Sequence, residues 1–219
     1  MPEAGRRAGG RGRALAESGA AAVGLCLFAL LAHRAGLLRA ASLVGLSVAA
    51  CAIALALGRA RSPLDVMGFS RWTRGLAAWA AAALLLGIGL GVGHRVGYGH
   101  GFFPSAIEPF AFLAAAIGAT EELTYRGWMQ GVLRPWGAAL SVVLAAAAHT
   151  AYKTALFALP PAPAPVNILF LVGATFVGGL ALGALRAGSR SVLPPLVLHV
   201  AFDLVVYGDR GQAPWWVWS

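Results

Sequence analysis

The chain has 219 residues, of which 59% are hydrophobic and only 11% are charged. A soluble domain carries about 25% charged residues, so this composition excludes a soluble globular protein. It predicts one polytopic membrane domain, long enough for about six to eight helices of roughly 20 residues. The formal net charge of +9 comes almost wholly from arginine, with Lys153 as the only lysine, and its distribution favours membrane topology over nucleic-acid binding.

Apolar stretches separated by polar, glycine-rich or proline-rich segments predict an all-α bundle of about seven transmembrane helices. In chain order the predicted spans run near 15–33, 37–57, 75–93, 106–133, 138–157, 166–185 and 191–207. The fourth is long enough to be tilted or broken, and the seventh begins just before Pro194 and Pro195, which suit a first helical turn. A basic N-terminal tail (1–14) and a tryptophan-rich C-terminal tail (208–219) flank the single transmembrane domain (15–207).

The distribution of basic residues predicts the orientation of the bundle. If the N-terminus is cytoplasmic, eleven basic residues fall in cytoplasmic segments and five fall on the opposite side. The eleven are Arg6, Arg7, Arg11, Arg13, Arg59, Arg61, Arg71, Arg74, Arg134, Arg186 and Arg190. The five are Arg34, Arg39, Arg95, Arg210 and, near a helix end, Lys153. Because cytoplasmic segments carry an excess of Lys and Arg, the predicted topology is N-in and C-out.

Small residues at regular spacing predict close packing of two spans. The third predicted span has glycine at positions 87, 89, 91 and 93, and the sixth has Gly179 and Gly183. Such spacings let helix backbones approach each other closely in lipid. They indicate architecture and carry no functional information.

Three ionisable residues, Glu121, Glu122 and Arg126, lie within the apolar fourth span, in the sequence AIGATEELTYRGWMQ. A charged side chain at bilayer depth costs at least a few kcal/mol, so such residues usually face a protein interior and mark a functional site. Two of only eight acidic residues in the chain are adjacent here. The cluster is therefore the first candidate for the site of function.

Three further ionisable residues lie at a similar predicted depth on other spans. At a rise of about 1.5 Å per residue, Glu121 lies about 18 Å from the cytoplasmic helix end, His149 about 16 Å, His199 about 12 Å and Asp203 about 18 Å. Independent core polar residues have little reason to share a depth. We therefore predict that these four side chains form one site.

Spacing along the helices predicts which of these groups pair. Glu122 and Arg126 are i,i+4 with the acid first, the favourable order for an intrahelical ion pair, which leaves Glu121 free to accept a proton. His199 and Asp203 are also i,i+4 and face one direction. A carboxylate base, a neighbouring histidine and a second His/Asp pair are the parts of a water-activating hydrolytic site.

These motifs resemble those of the CAAX protease and bacteriocin-processing (CPBP) family of intramembrane proteases, also called type II CAAX prenyl endopeptidases. EELTYRG resembles the family's glutamate-glutamate-x-x-x-arginine motif, and His149 resembles its histidine on the next helix. His199 and Asp203 resemble its final motif, a histidine followed four residues later by Asn or Asp. Order, spacing and helix placement agree over 106–207, which is the predicted catalytic core.

The resemblance implies a role for each residue of the motifs. Glu121 and His149 would activate water for attack on a peptide carbonyl, and His199 and Asp203 would stabilise the oxyanion or hold the second half of the site. Glu122 and Arg126 would support Glu121. This chain departs from the family at two positions. Ala145 stands where phenylalanine is frequent, and Asp203 stands where Asn is common, although an ionised aspartate cannot donate a hydrogen bond.

The sequence leaves open whether the hydrolysis is glutamate-type or metal-assisted. Glu121, His149, His199 and Asp203 could hold one divalent ion such as Zn²⁺ with a position left for water. No HExxH motif is present to favour the metal.

We therefore expect an intramembrane endopeptidase whose partners are the lipid bilayer and a membrane-associated protein or peptide substrate. Candidate substrates are prenylated-type C-termini, bacteriocin-like leaders and C-terminal sorting tags. The Ala-, Gly- and Arg-rich composition suggests a GC-rich bacterium, which favours leader or tag processing in the cytoplasmic (inner) membrane. The alternatives are a non-enzymatic scaffold or immunity protein with the same fold, and an ion-coupled transporter that uses the buried carboxylates.

Overall fold

A computed structural model describes residues 2–34, 62–69, 72–157 and 166–211. Every regular element within these ranges is helical, so the predicted all-α class is confirmed. The α-helices are α1 (Pro2–Arg34), α2 (Pro63–Met67), α3 (Arg74–Gly97), α4 (Pro109–Glu122), α5 (Gln130–Leu133), α6 (Ala138–Phe157), α7 (Ile168–Ser189) and α8 (Leu193–Tyr207). A π-helical segment (Leu123–Met129) joins α4 to α5, and a 3₁₀ turn (Arg134–Trp136) follows α5.

Four helical stretches in the described part of the chain are long and apolar enough to cross a membrane. They are Gly12–Leu31, Arg74–Gly97, Ala138–Phe157 and Ile168–Ser189, and α8 is a shorter apolar helix. The predicted second span at 37–57 lies outside the described residues. The seven-span count and the orientation therefore stay predictions.

The N-terminal segment differs from expectation, whereas the fourth predicted span is interrupted, as its length allowed. The first helix begins at Pro2, so most of the basic segment predicted as a tail continues into the membrane helix. The fourth span is broken into α4, the π-helical segment and α5. The break comes directly after Glu122, and π-helical turns of this kind occur frequently at functional sites.

The helices pack so that α4 ends between two groups of neighbours. Helix α8 packs against α3 and α4, while α6 packs against α1 and α7, and the π-helical segment contacts both α4 and α6. A buried cluster that includes Tyr125, Met129 and Ala145 joins the π-helical segment to α6. The acidic end of α4 is thereby placed between α6 and α8.

The predicted close packing at glycines is confirmed for one face of α3 and one face of α7. A Cβ at Gly91 would come within 2.8 Å of Val205 on α8, whereas Gly89 has no such neighbour within 4 Å. Gly179 and Gly183 likewise lie against Ala146 and Val142 of α6. Gly87 faces α8 together with Gly91, while Gly93, like Gly89, has open space beside it. Residues four apart share a helix face, so alternate glycines of the third span cannot all reach one partner.

Contacts between helix ends agree with the relative sidedness of the predicted topology. Arg95 at the end of α3 forms a salt bridge of 2.8 Å with Asp209, just after α8, and this hydrogen-bonded contact lowers the pKa of Asp209 to about 2. At the same end, Glu108 donates its backbone N–H to Gly208. At the opposite end, Val192 donates its N–H to the carbonyl of Gly68.

Candidate active site

Glu121 lies buried in the last turn of α4 and makes two polar contacts with α6. Its Oε2 lies 3.2 Å from His149 Nε2, and its Oε1 lies 2.7 Å from Lys153 Nζ. The side chain is only 6% exposed. The sequence predicts that Glu121 is free of the Glu122–Arg126 ion pair, and in the structure Arg126 indeed contacts Glu122 and not Glu121. The contact with Lys153 was not predicted.

The partners of the His149 ring determine its tautomer. Arg126 Nη1 lies 3.2 Å from His149 Nδ1, and an arginine can only donate, so Nδ1 must be the accepting nitrogen. The ring proton is then on Nε2, which donates to Glu121. Tyr125 packs against the ring with centroids 4.6 Å apart. His149 is thus a neutral hydrogen-bond donor to Glu121, and this assignment leaves Glu121 as the proton acceptor of the pair.

Glu122 links the other half of the site to the same arginine. Its Oε1 accepts from Arg126 Nη1 at 3.0 Å, which confirms the predicted i,i+4 ion pair. The same oxygen lies 2.8 Å from His199 Nδ1. Because an ionised carboxylate only accepts, His199 donates Nδ1–H to it and turns its Nε2 away from Glu122. Glu122 therefore orients His199 in addition to neutralising Arg126.

His199 and Asp203 face α4 from α8. His199 Nε2 lies 3.8 Å from Asp203 Oδ2, within ion-pair range but beyond a hydrogen bond. Gly118, one turn before Glu122, leaves room for both, because a Cβ there would overlap Asp203 Oδ2 and lie 3.0 Å from the His199 ring. A glycine on α4 is therefore what lets the α8 pair approach the glutamates.

These side chains open onto one large cavity of about 1610 Å³ between the helices. The predicted site residues that line it are Glu121, Arg126, His149, His199 and Asp203, joined by Lys153. The remaining wall is mostly apolar, and α1 contributes Leu25 and Phe28 to it. A cavity of this size and polarity can enclose a peptide segment next to a small set of fixed polar groups.

Sequence reasoning missed two features of this site. Lys153 is four residues after His149 and therefore shares its helix face, and it is the only lysine in the chain. Those two signals could have identified it, but sequence reasoning used Lys153 only as a basic residue near a helix end when predicting the topology. The contact between Glu122 and His199 has no local signal, since 77 residues separate the two.

The described side chains do not fit the metal-assisted alternative in this arrangement. No group of three or more His, Cys, Asp or Glu residues with metal-binding geometry occurs in the described ranges. The donor chemistry gives the reason: His149 directs one nitrogen at a guanidinium and the other, protonated, at Glu121. Metal coordination needs a free imidazole lone pair, which His149 lacks here. We derive no step through a metal.

Comparison with known proteins gives one match. Residues 102–205 match the family described as type II CAAX prenyl endopeptidase Rce1-like. No curated protein and no solved structure matches the chain. The matched segment contains every residue of the three motifs and Lys153.

Proposed function

Because residues 102–205 belong to the type II CAAX prenyl endopeptidase Rce1-like family, a family of proteases, we propose that this chain is an intramembrane endopeptidase with Glu121 as its general base. The observation that carries the proposal is the contact of 3.2 Å between Glu121 Oε2 and His149 Nε2 in the wall of the large cavity. A base must lie within hydrogen-bond reach of the water that it activates. A water in the cavity beside Glu121 meets that requirement.

The proposed reaction is a glutamate-type hydrolysis. Glu121 takes a proton from water while the water oxygen bonds to the peptide carbonyl carbon. Each carboxylate oxygen has two lone pairs, so the contacts to His149 and Lys153 leave capacity for the water. The protonated Glu121 then gives its proton to the departing amine nitrogen as the C–N bond breaks. Atoms and charge balance without a further reactant.

His199 is the proposed stabiliser of the carbonyl oxygen. Glu122 accepts Nδ1–H of His199, so its Nε2 faces the cavity side of the ring beside Asp203. When Nε2 is protonated it can donate to the developing oxyanion, and such preorganised donors are usually the largest electrostatic contribution to hydrolysis. Asp203 at 3.8 Å supports the positive charge of that ring.

The proposed setting is the bacterial cytoplasmic membrane, with leader or C-terminal sorting segments of bacterial proteins as substrates. The size of the cavity and its mostly apolar wall support the proposal that the substrate is a membrane-associated peptide. The Ala-, Gly- and Arg-rich composition favours a GC-rich bacterium, where prenylated termini are not expected. Glutamate-type chemistry is proposed because no three of the described His, Cys, Asp or Glu side chains are grouped so that they could hold a metal ion.

The experiment compares host membranes that carry the wild-type chain, Glu121→Gln or the matched control Glu17→Gln. Glu17 lies on α1 in an exposed ion pair with Arg13, so its amide variant makes the same chemical change away from the cavity. Mass spectrometry of peptide termini should find products in the wild type and the control that are lost in Glu121→Gln. Loss of a general base typically lowers a rate by about 10²–10⁴-fold.

Other outcomes favour other functions. If no peptide terminus differs between the wild type and Glu121→Gln, the protease proposal fails. A host phenotype that persists in Glu121→Gln then indicates a scaffold or immunity protein. Solute flux in sealed vesicles that is lost in the same variant indicates a transporter.

A further inference from the structure

We infer that Lys153 is a positioning residue that fixes the Glu121 carboxylate in the orientation needed for water activation. The inference rests on the proposed function and assigns a role to a residue outside the three sequence motifs. Lys153 Nζ lies 2.7 Å from Glu121 Oε1, the oxygen that does not contact His149. Each carboxylate oxygen thus has its own partner.

Both partners come from one helix face. His149 and Lys153 are i,i+4 on α6, so a single rigid helix presents a neutral donor and a cation to the two oxygens. A carboxylate held at both oxygens cannot rotate about its terminal bond without breaking a contact. Catalytic groups must be held within about 0.5 Å of the productive geometry, and a two-point clamp supplies that restraint.

The positive charge of Lys153 is a second argument for its role as a positioning residue. Because His149 is neutral and Arg126 is already paired with Glu122, Lys153 is the cation that contacts Glu121 directly among the residues that the structure describes. Its side chain is 14% exposed and lines the cavity, whereas Arg126 is almost fully buried. An unpaired carboxylate in an apolar site is costly, so the ammonium group keeps the base charged and in place.

The test uses full-length variants in the host membrane, with the host's own membrane proteins as substrates. The readout is the initial rate at which Glu121-dependent peptide termini appear after induction. Lys153→Met should lower this rate by about 10–100-fold, because misplacing a reacting group by roughly 1 Å costs about that much. Lys153→Arg keeps the charge and should recover the rate to within about tenfold. Thr154→Val is the matched control, because Thr154 bonds only its own helix at Thr150.

Two outcomes overturn the inference while the proposed function stands. The first is a wild-type rate in Lys153→Met while Glu121→Gln is inactive. The second is a rate in Lys153→Arg as low as in Lys153→Met, because a positive charge at this position would then not be enough to hold Glu121. If Glu121→Gln also yields wild-type termini, both the inference and the proposed function fail.

If Lys153→Met is unstable, a double-mutant cycle measured by thermal unfolding still tests the inference. Each of Lys153→Met and Glu121→Gln leaves a charge without its partner and should lower Tm by several degrees. The double variant removes both charges and should melt no lower than the less stable single variant. Additive losses of Tm would show that the two side chains do not interact and would overturn the clamp.

Discussion

At the scale of single residues, one arginine joins the two halves of the site. Arg126 Nη1 contacts Glu122 Oε1 and His149 Nδ1, so one guanidinium sets the geometry of both halves. Glu121 is then held by α6 residues, and His199 is held by Glu122. The adjacent glutamates thus have different partners because neighbouring positions on a helix point about 100° apart.

Asp203 offers the sharpest test at this scale. The family resemblance places Asn at this position in many members, and an Asn amide can donate to an oxyanion whereas an ionised Asp cannot. We expect Asp203→Asn to keep the rate of terminus formation within about tenfold of wild type, and Asp203→Leu to lose at least about tenfold. If Asp203→Asn is as inactive as Glu121→Gln, the negative charge beside His199 is itself required.

At the scale of elements, glycines determine how closely α3, α4 and α8 approach. Gly87 and Gly91 lie against α8, and Gly118 lies against the His199 and Asp203 side chains. The spacing of glycines in the sequence predicted close packing but not which face would be used. The π-helical segment after Glu122 could not be predicted either, because its residues, from Leu123 to Met129, are compatible with an ordinary α-helix.

Two alanine variants of α3 test the packed face. A Cβ at Gly91 would come within 2.8 Å of the Val205 side chain and 3.3 Å of the Phe202 carbonyl oxygen. Gly91→Ala should therefore destabilise the fold by about 1–3 kcal/mol, the usual cost of overpacking. Gly89→Ala meets nothing within 4 Å and should be neutral or stabilising by up to about 1 kcal/mol. Thermal unfolding in detergent measures both, and equal Tm values would contradict the α3–α8 contact.

At the scale of the whole molecule, the helix ends divide into two sets. Arg95, Glu108 and Asp209 meet at one end, while Gly68 and Val192 meet at the other. This division agrees with the predicted alternation of spans. The excess of basic residues on one side predicts which of the two ends is cytoplasmic.

Cysteine labelling tests the orientation. In a background of Cys26→Ala and Cys51→Ala, Ser105→Cys should react with a membrane-impermeant thiol reagent in intact cells. Ser62→Cys should react only after permeabilisation. Both serines are exposed in the structure. The reverse pattern would invert the bundle, and labelling of both positions from one side would contradict a membrane crossing by α3.

The sequence by itself determined the apolar, helical class, most helix boundaries in the described part of the chain and the positions of the three motifs, because hydropathy and helical spacing are local properties of the chain. The shared depth of Glu121, His149, His199 and Asp203 also followed from local counting, and all four line one cavity. Only the tertiary structure decided which groups pair. The contacts of Lys153 with Glu121 and of His199 with Glu122 depend on how each helix is rotated about its axis. That rotation is set by packing between distant segments, which no local pattern records.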